Sequence, residues 1–209
     1  MRNITMGLSL CASAAMAEPA TLLALGDSLT QGYGLPVEEG FVPQLQAWLA
    51  GQGAEVTVLN AGVSGDTTAG GLSRLDWSLT PEVDAMIVNL GGNDLLRGID
   101  PDNSRANLEA ILAEAKARGL PVLLVGLRAP GNYGADYKIA FDAIYPDLAE
   151  RYGAELEADY FQPLIRQDSG LVDTALMQGD GIHPNAAGVA RLVEALGPKV
   201  LALLDRVPG

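Results

Sequence analysis

"DAMIVNLGG", residues 84–92, is the stretch whose reading decides the fold. Ala85 to Val88 are apolar on successive positions, the pattern of a strand buried on both faces rather than on one. "TLLALG" (21–26) and "PVLLVGL" (121–127) read the same way, and "EVTVLNAG" (55–62) is a fourth run of strand length. "AELEA" (154–158) alternates apolar and acidic residues, as an edge strand does. Between these runs lie segments of helical period: "FVPQLQAWLAGQG", "TTAGGLSRLDWSL", "NSRANLEAILAEAKARG" and "YKIAFDAIYPDLAERYG". In the third, Leu108, Ile111, Leu112 and Ala115 share one face, and Gly119 with Pro121 ends the helix. "NAAGVARLVEALGPKVLALLD" is a last helix in which Pro198 predicts a break or kink.

Strands alternating with helices in one chain imply an α/β fold, a parallel sheet with helices on both faces and right-handed crossovers. Such sheets place their working site beyond the C-terminal ends of the strands. Any chemistry should therefore sit in the loops that directly follow the apolar runs.

The whole chain sets further bounds. Its 209 residues suffice for one domain with a sizeable core and are few for two. A formal charge of −13 argues against nucleic acid as a partner and against docking on an anionic membrane. No stretch reads as a membrane-spanning helix of the mature protein, so stable membrane insertion is not expected. "MRNITMGLSLCASAAMA" (1–17) has the pattern of an export signal. Arg2 is its basic start, an apolar run follows, and Ala15-Met16-Ala17 is its cleavage pattern. The expected mature domain is 18–209, in the periplasm or outside the cell. Cleavage would remove Cys11, the one cysteine, and leave no disulfide. Leu10 before Cys11 disfavours lipidation of that thiol. One histidine and one cysteine cannot form a zinc site of the usual kind, and no EF-hand spacing occurs, so no metal is expected.

Four loops carry reactive side chains. In "GDSLTQGYG" (26–34), Ser28 can project from the end of the first strand as a nucleophile, or cap a helix; Asp27 can cap as well. In "NAGVSGDTTAGG" (60–71), Gly62 and Gly65 allow backbone N–H groups to approach a ligand, or simply make turns, and Asp66 or Thr67 can cap the next helix. In "GGNDLLRG" (91–98), Asn93 can offer its amide to a developing oxyanion, or occupy a turn. In "QGDGIHPNAAG" (178–188), Asp180 and His183, the only histidine, are three residues apart. There a carboxylate can orient an imidazole whose other nitrogen takes a proton from a hydroxyl.

Together "GDSLT", "NAGVSGDT", "GGND" and "DGIHPN" resemble the ordered blocks of the GDSL, or SGNH, hydrolases. "GLRAPGNYG" (126–134) and "FDAIYPDLAERYG" (141–153) extend the resemblance to the bacterial acyl-thioesterase/lysophospholipase/arylesterase branch, over about residues 20–200. The resemblance implies a three-layer α/β/α sandwich around a five-stranded parallel sheet, a flavodoxin-like arrangement. It implies Ser28 as nucleophile, His183 as general base and then acid, and Asp180 as its orienting partner. The backbone N–H groups of Ser28 and Gly65 and the Asn93 amide would form the oxyanion hole. In that branch the loop after the fourth strand borders the acyl pocket, which makes Arg128, Pro130, Asn132 and Tyr133 the expected substrate contacts. The nucleophile does not stand in G-x-S-x-G; "GVSG" (62–65) imitates that motif and makes Ser64 a decoy.

The expected reaction is hydrolysis of a small-molecule acyl, aryl, thio- or lysophospholipid ester by a monomer, with no cofactor. Removal of acetyl groups from carbohydrate is the alternative on the same fold. It would favour aromatic platforms, and aromatics make up 5% of this chain. A flavin-binding electron carrier, with a phosphate cradled by "DSLTQG", has Asp27 against it. A third possibility is a non-catalytic binding protein on an esterase scaffold.

Overall fold

The computed structural model describes residues 19–207. Its sheet comprises β1 (Ala20–Gly26), β2 (Val56–Gly62), β3 (Ala85–Asn89), β4 (Val122–Val125) and β5 (Glu155–Glu157). All neighbours run parallel, in the order β2-β1-β3-β4-β5. The three runs that are apolar throughout are the three central strands, and every residue of β3 and β4 is buried. β2 alternates buried and exposed positions at its start, and β5 is only half-buried, because each has a neighbour on one side alone.

The helices are α1 (Ser28–Gln31), α2 (Phe41–Gly51), α3 (Thr68–Ser73), α4 (Leu75–Ser78), α5 (Gly92–Leu96), α6 (Pro101–Ala117), α7 (Ala135–Asp142), α8 (Ile144–Tyr152) and α9 (Ala186–Leu204). α2 and α9 pack on each other on one face of the sheet, and α3, α6, α7 and α8 form a layer on the other. This is the three-layer sandwich expected from the alternation, with right-handed crossovers dictating which face each helix covers. Leu108, Ile111, Leu112 and Ala115 of α6 are all at most 1% exposed.

Two expected helices are each divided. "YKIAFDAIYPDLAERYG" breaks at Ala143, because Pro146 has no N–H for the Asp142 carbonyl and its ring would strike that carbonyl. "TTAGGLSRLDWSL" breaks at Arg74, whose side chain turns back to Asp66 and to the Gly26 carbonyl. α9, by contrast, runs through Pro198 without interruption. Pro198 lies on the exposed face, so the Glu194 carbonyl that loses its donor faces water. α5 was not anticipated as a helix, nor were the short 3-10 turns at Val37–Glu39, Gln162–Leu164 and Thr174–Leu176. No helix among the described residues is long and apolar enough to cross a membrane. The export signal expected at 1–17 lies outside the described residues.

Candidate active site

Strand order reverses beside β1, since β2 lies on one side of it and β3 on the other. The loops after β1, β2 and β3 diverge there and leave a crevice at the carboxyl edge of the sheet. Ser28 is the first residue of α1, preceded by the N-cap Asp27, whose Oδ1 accepts the Leu29 N–H at 3.0 Å. Of the two roles open to these residues, capping therefore falls to Asp27 and leaves the Ser28 hydroxyl free to project. Gly26 serves close packing: a Cβ there would run into the Thr30 side chain and come within 2.9 Å of the Asn89 carbonyl.

His183 comes from the turn before α9. Its Nε2 lies 2.9 Å from Ser28 Oγ and its Nδ1 lies 2.7 Å from Asp180 Oδ2. The other oxygen, Asp180 Oδ1, accepts the N–H groups of Ile182 at 2.9 Å and His183 at 3.0 Å. These bonds, the one to the imidazole foremost, hold the Asp180 carboxyl down at about 2. An ionised Asp180 accepts a hydrogen bond from the Nδ1–H, which leaves the Nε2 lone pair for the Ser28 hydroxyl. The turn is closed by the Gln178 N–H to the His183 carbonyl at 2.7 Å. Gln178 Nε2 then donates to the Tyr33 carbonyl at 2.8 Å, tying this turn to the serine loop. The Tyr33 ring packs on the imidazole with centroids 4.7 Å apart.

Asn93 lies in α5, where Gly91 with a φ of +116° lets the chain turn sharply out of β3. Its Nδ2 donates to the Asp66 carbonyl at 2.9 Å and lies 3.4 Å from Asp27 Oδ2. Burial pushes the Asp27 carboxyl up to about 6, against the opposing pull of the Leu29 N–H, His183 and Asn93. The Ser28 and Gly65 N–H groups donate to no acceptor among the described residues.

Gly65 has a φ of +84°, a conformation glycine adopts readily. Gly62, singled out with it, has a different task from ligand approach. A Cβ there would lie 2.7 Å from Gln31 Cα and 2.8 Å from the Thr30 carbonyl carbon, so this glycine lets β2 pack on α1. Thr67 caps α3 by accepting the Gly70 N–H at 3.3 Å, whereas Asp66 pairs with Arg74 at 2.6 Å. Ser64 donates its hydroxyl to the Gln31 side chain at 3.0 Å, and the imidazole is engaged by Ser28 instead.

A cavity of about 430 Å³ opens over Ser28, Asn93 and His183. Its walls are mainly apolar: Leu29, Leu95, Leu96, Leu127, Phe161, Val172, Met177 and Ile182. Arg128, Pro130, Asn132 and Tyr133 all line it, and Arg128 Nε stands 3.5 Å from Asp159. Asp180 and Gly65 are not on the lining: the first lies behind the imidazole, and the second belongs to the loop beside Asn93. Phe161, Val172 and Met177 went unread in the sequence because residues 159–178 carry no periodic pattern; they reach the cavity through short turns. Arg74 and Arg97, which brace the loops, were also missed, since an isolated arginine carries no linear signal. The arrangement can activate a hydroxyl, hold an apolar chain and offer N–H donors to a developing negative charge.

A family model described as the GDSL-like lipase/acylhydrolase family matches residues 24–191. Esterase TesA of Pseudomonas aeruginosa is 42% identical over 185 residues, which cover 88% of this chain and 89% of that protein. An arylesterase of Vibrio mimicus is 37% identical, over 88% of this chain and 90% of its own. Among solved structures, AlinE4, described as an SGNH-hydrolase family esterase, superposes with a TM-score of 0.73 at 43% identity, covering 93% of this chain and all of that one.

Proposed function

This chain belongs to the GDSL-like lipase/acylhydrolase family, and on that premise we propose that it hydrolyses carboxylic esters through an acyl-enzyme formed on Ser28. The observation that carries this assignment is the line from Asp180 Oδ2 through the imidazole to Ser28 Oγ, with contacts of 2.7 and 2.9 Å, in which Ser28 and His183 line one cavity and Asp180 stands behind the imidazole.

His183 Nε2 takes the hydroxyl proton as Ser28 Oγ attacks the ester carbonyl. The tetrahedral intermediate carries its negative charge on the former carbonyl oxygen. The Ser28 N–H, the Gly65 N–H and the Asn93 amide are the donors for that charge. His183 then gives its proton to the departing alcohol or thiol, and the acyl group stays on Ser28. Water follows by the same route: His183 removes its proton, and Ser28 leaves with that proton as the acid is released. Asp180, ionised throughout, stabilises the imidazolium in both halves.

The apolar walls suit an acyl chain, and their volume lies in the range of ordinary small-ligand sites. Each methylene is worth only about 1–3 kcal/mol of discrimination in such a groove, so several esters should be accepted. Acyl, aryl and lysophospholipid esters fit this cavity, with the enzyme acting as an exported monomer. Export rests on the signal pattern at 1–17. The preponderance of aliphatic walls weighs against sugar acetates, and buried Asp27 beside the first loop weighs against a flavin phosphate. The test is hydrolysis of p-nitrophenyl esters from acetate to palmitate by the wild type and Ser28→Ala side by side. Turnover by the wild type alone supports the assignment, and turnover by both removes Ser28 from it.

A further inference from the structure

α5 grips two consecutive carbonyls of the loop after β2. Asn93 Nδ2 donates to the Asp66 carbonyl at 2.9 Å, and Arg97 Nη2 donates to the Gly65 carbonyl at 2.8 Å. Asn93 and Arg97 are four residues apart, and the Arg97 N–H bonds to the Asn93 carbonyl at 3.2 Å, so one helical turn presents both side chains on one side. The gripped loop needs holding: Val63, Ser64 and Gly65 are all exposed, and Gly65 can rotate with little steric resistance. No other side chain among the described residues bonds to the Gly65 carbonyl.

We propose that Arg97 is a positioning residue for ester hydrolysis, fixing the Gly65 peptide beside Asn93 so that the Gly65 N–H is already aimed when the oxyanion forms. The proposal rests on the serine mechanism given above. Arg97 acts through Gly65 and not on the substrate: its neighbours Leu95 and Leu96 line the cavity and it does not. Its position separates it from Arg74. That residue is half-buried and ties Asp66 to the end of β1, so its loss would loosen the fold itself. Arg97 is exposed, and an exposed hydrogen bond adds little to stability. In a reaction that depends on preset donors, small displacements have large effects on rate.

The experiment compares wild type, Ser28→Ala, Arg97→Ala and Arg97→Lys on p-nitrophenyl butyrate, together with inhibition by a boronic acid whose serine adduct presents an oxyanion. Arg97→Ala should lower kcat about tenfold or more while KM and Tm stay nearly constant. Boronate affinity should fall by a similar factor, and Arg97→Lys should recover much of both. Unchanged kcat in Arg97→Ala overturns the proposal. So does a rise in KM alone, which would make Arg97 a substrate contact, and so does a lysine variant no better than alanine. An inactive wild type, or an active Ser28→Ala, would instead break the serine mechanism on which the proposal stands.

Discussion

Asp27 Oδ2 lies 3.4 Å from the Asn93 side-chain amide, so a buried carboxyl borders both Ser28, the proposed nucleophile, and the amide proposed as an oxyanion donor. Asp27 is 2% exposed, and desolvation raises it from 3.8 to about 6.

The sign of that shift fixes a stability prediction. The folded protein binds this proton more tightly than the unfolded chain, so stability from Asp27 is greatest below about pH 4 and declines as the pH rises toward 6. A shift of that size corresponds to about 3 kcal/mol. Asp27→Asn removes the dependence. Its stability relative to wild type, measured by urea unfolding, should rise by a substantial part of that amount between pH 4 and pH 8. A constant difference would show that Asp27 does not titrate in this window.

Asp180 has the opposite sign. Its depressed carboxyl, at about 2, keeps its hold on His183 fully above the ordinary carboxylate range and loses it only as the pH falls through that value. The acid limb of kcat/KM above pH 4 should therefore persist without any contribution from Asp180. Asp180→Asn should lower kcat by about 10³–10⁴ through the wrong imidazole tautomer. A variant within tenfold of wild type would remove Asp180 from the mechanism.

Nucleophile and base act as a unit. Ser28→Ala, His183→Ala and the double variant should show nearly the same residual activity, because either loss already disables the 2.9 Å pair. Additive losses in the double variant would mean that each acts alone.

Asn93→Ala should cost about 10²–10³ in kcat, with KM little changed, if its amide serves only the transition state. A matching rise in KM would assign the amide to ground-state binding.

Gly62→Ala tests the packing of β2 on α1. The new methyl meets the backbone of Gln31 and Thr30, which cannot swing aside as a side-chain end can. Overpacking of this kind costs about 1–3 kcal/mol, a loss of several degrees in Tm for a chain of this size. An unchanged Tm would show that α1 yields freely, and kcat should then fall as Ser28 moves.

Much of this protein was legible in one dimension. Successive apolar residues mark β1, β3 and β4 because a strand covered by helices on both faces must bury every side chain. Ser28, Gly65, Asn93, Asp180 and His183 were singled out because each stands shortly after a strand-length run or before a helix, within blocks whose order follows the chain. The structure brings Ser28, His183 and Asp180 within hydrogen-bonding distance and sets Asn93 against the loop that holds Gly65. Tertiary structure decided the rest. The sheet order sets the crevice between the loops of β1, β2 and β3, and contacts between those loops span tens of residues. Arg97 on Gly65, Arg74 bridging Asp66 and Gly26, and Asp27 beside Asn93 have no signal in sequence spacing. Local pattern records which face of an element is buried. Which loop a long side chain reaches depends on how the elements pack, and so does the pKa of a carboxyl that the packing has enclosed.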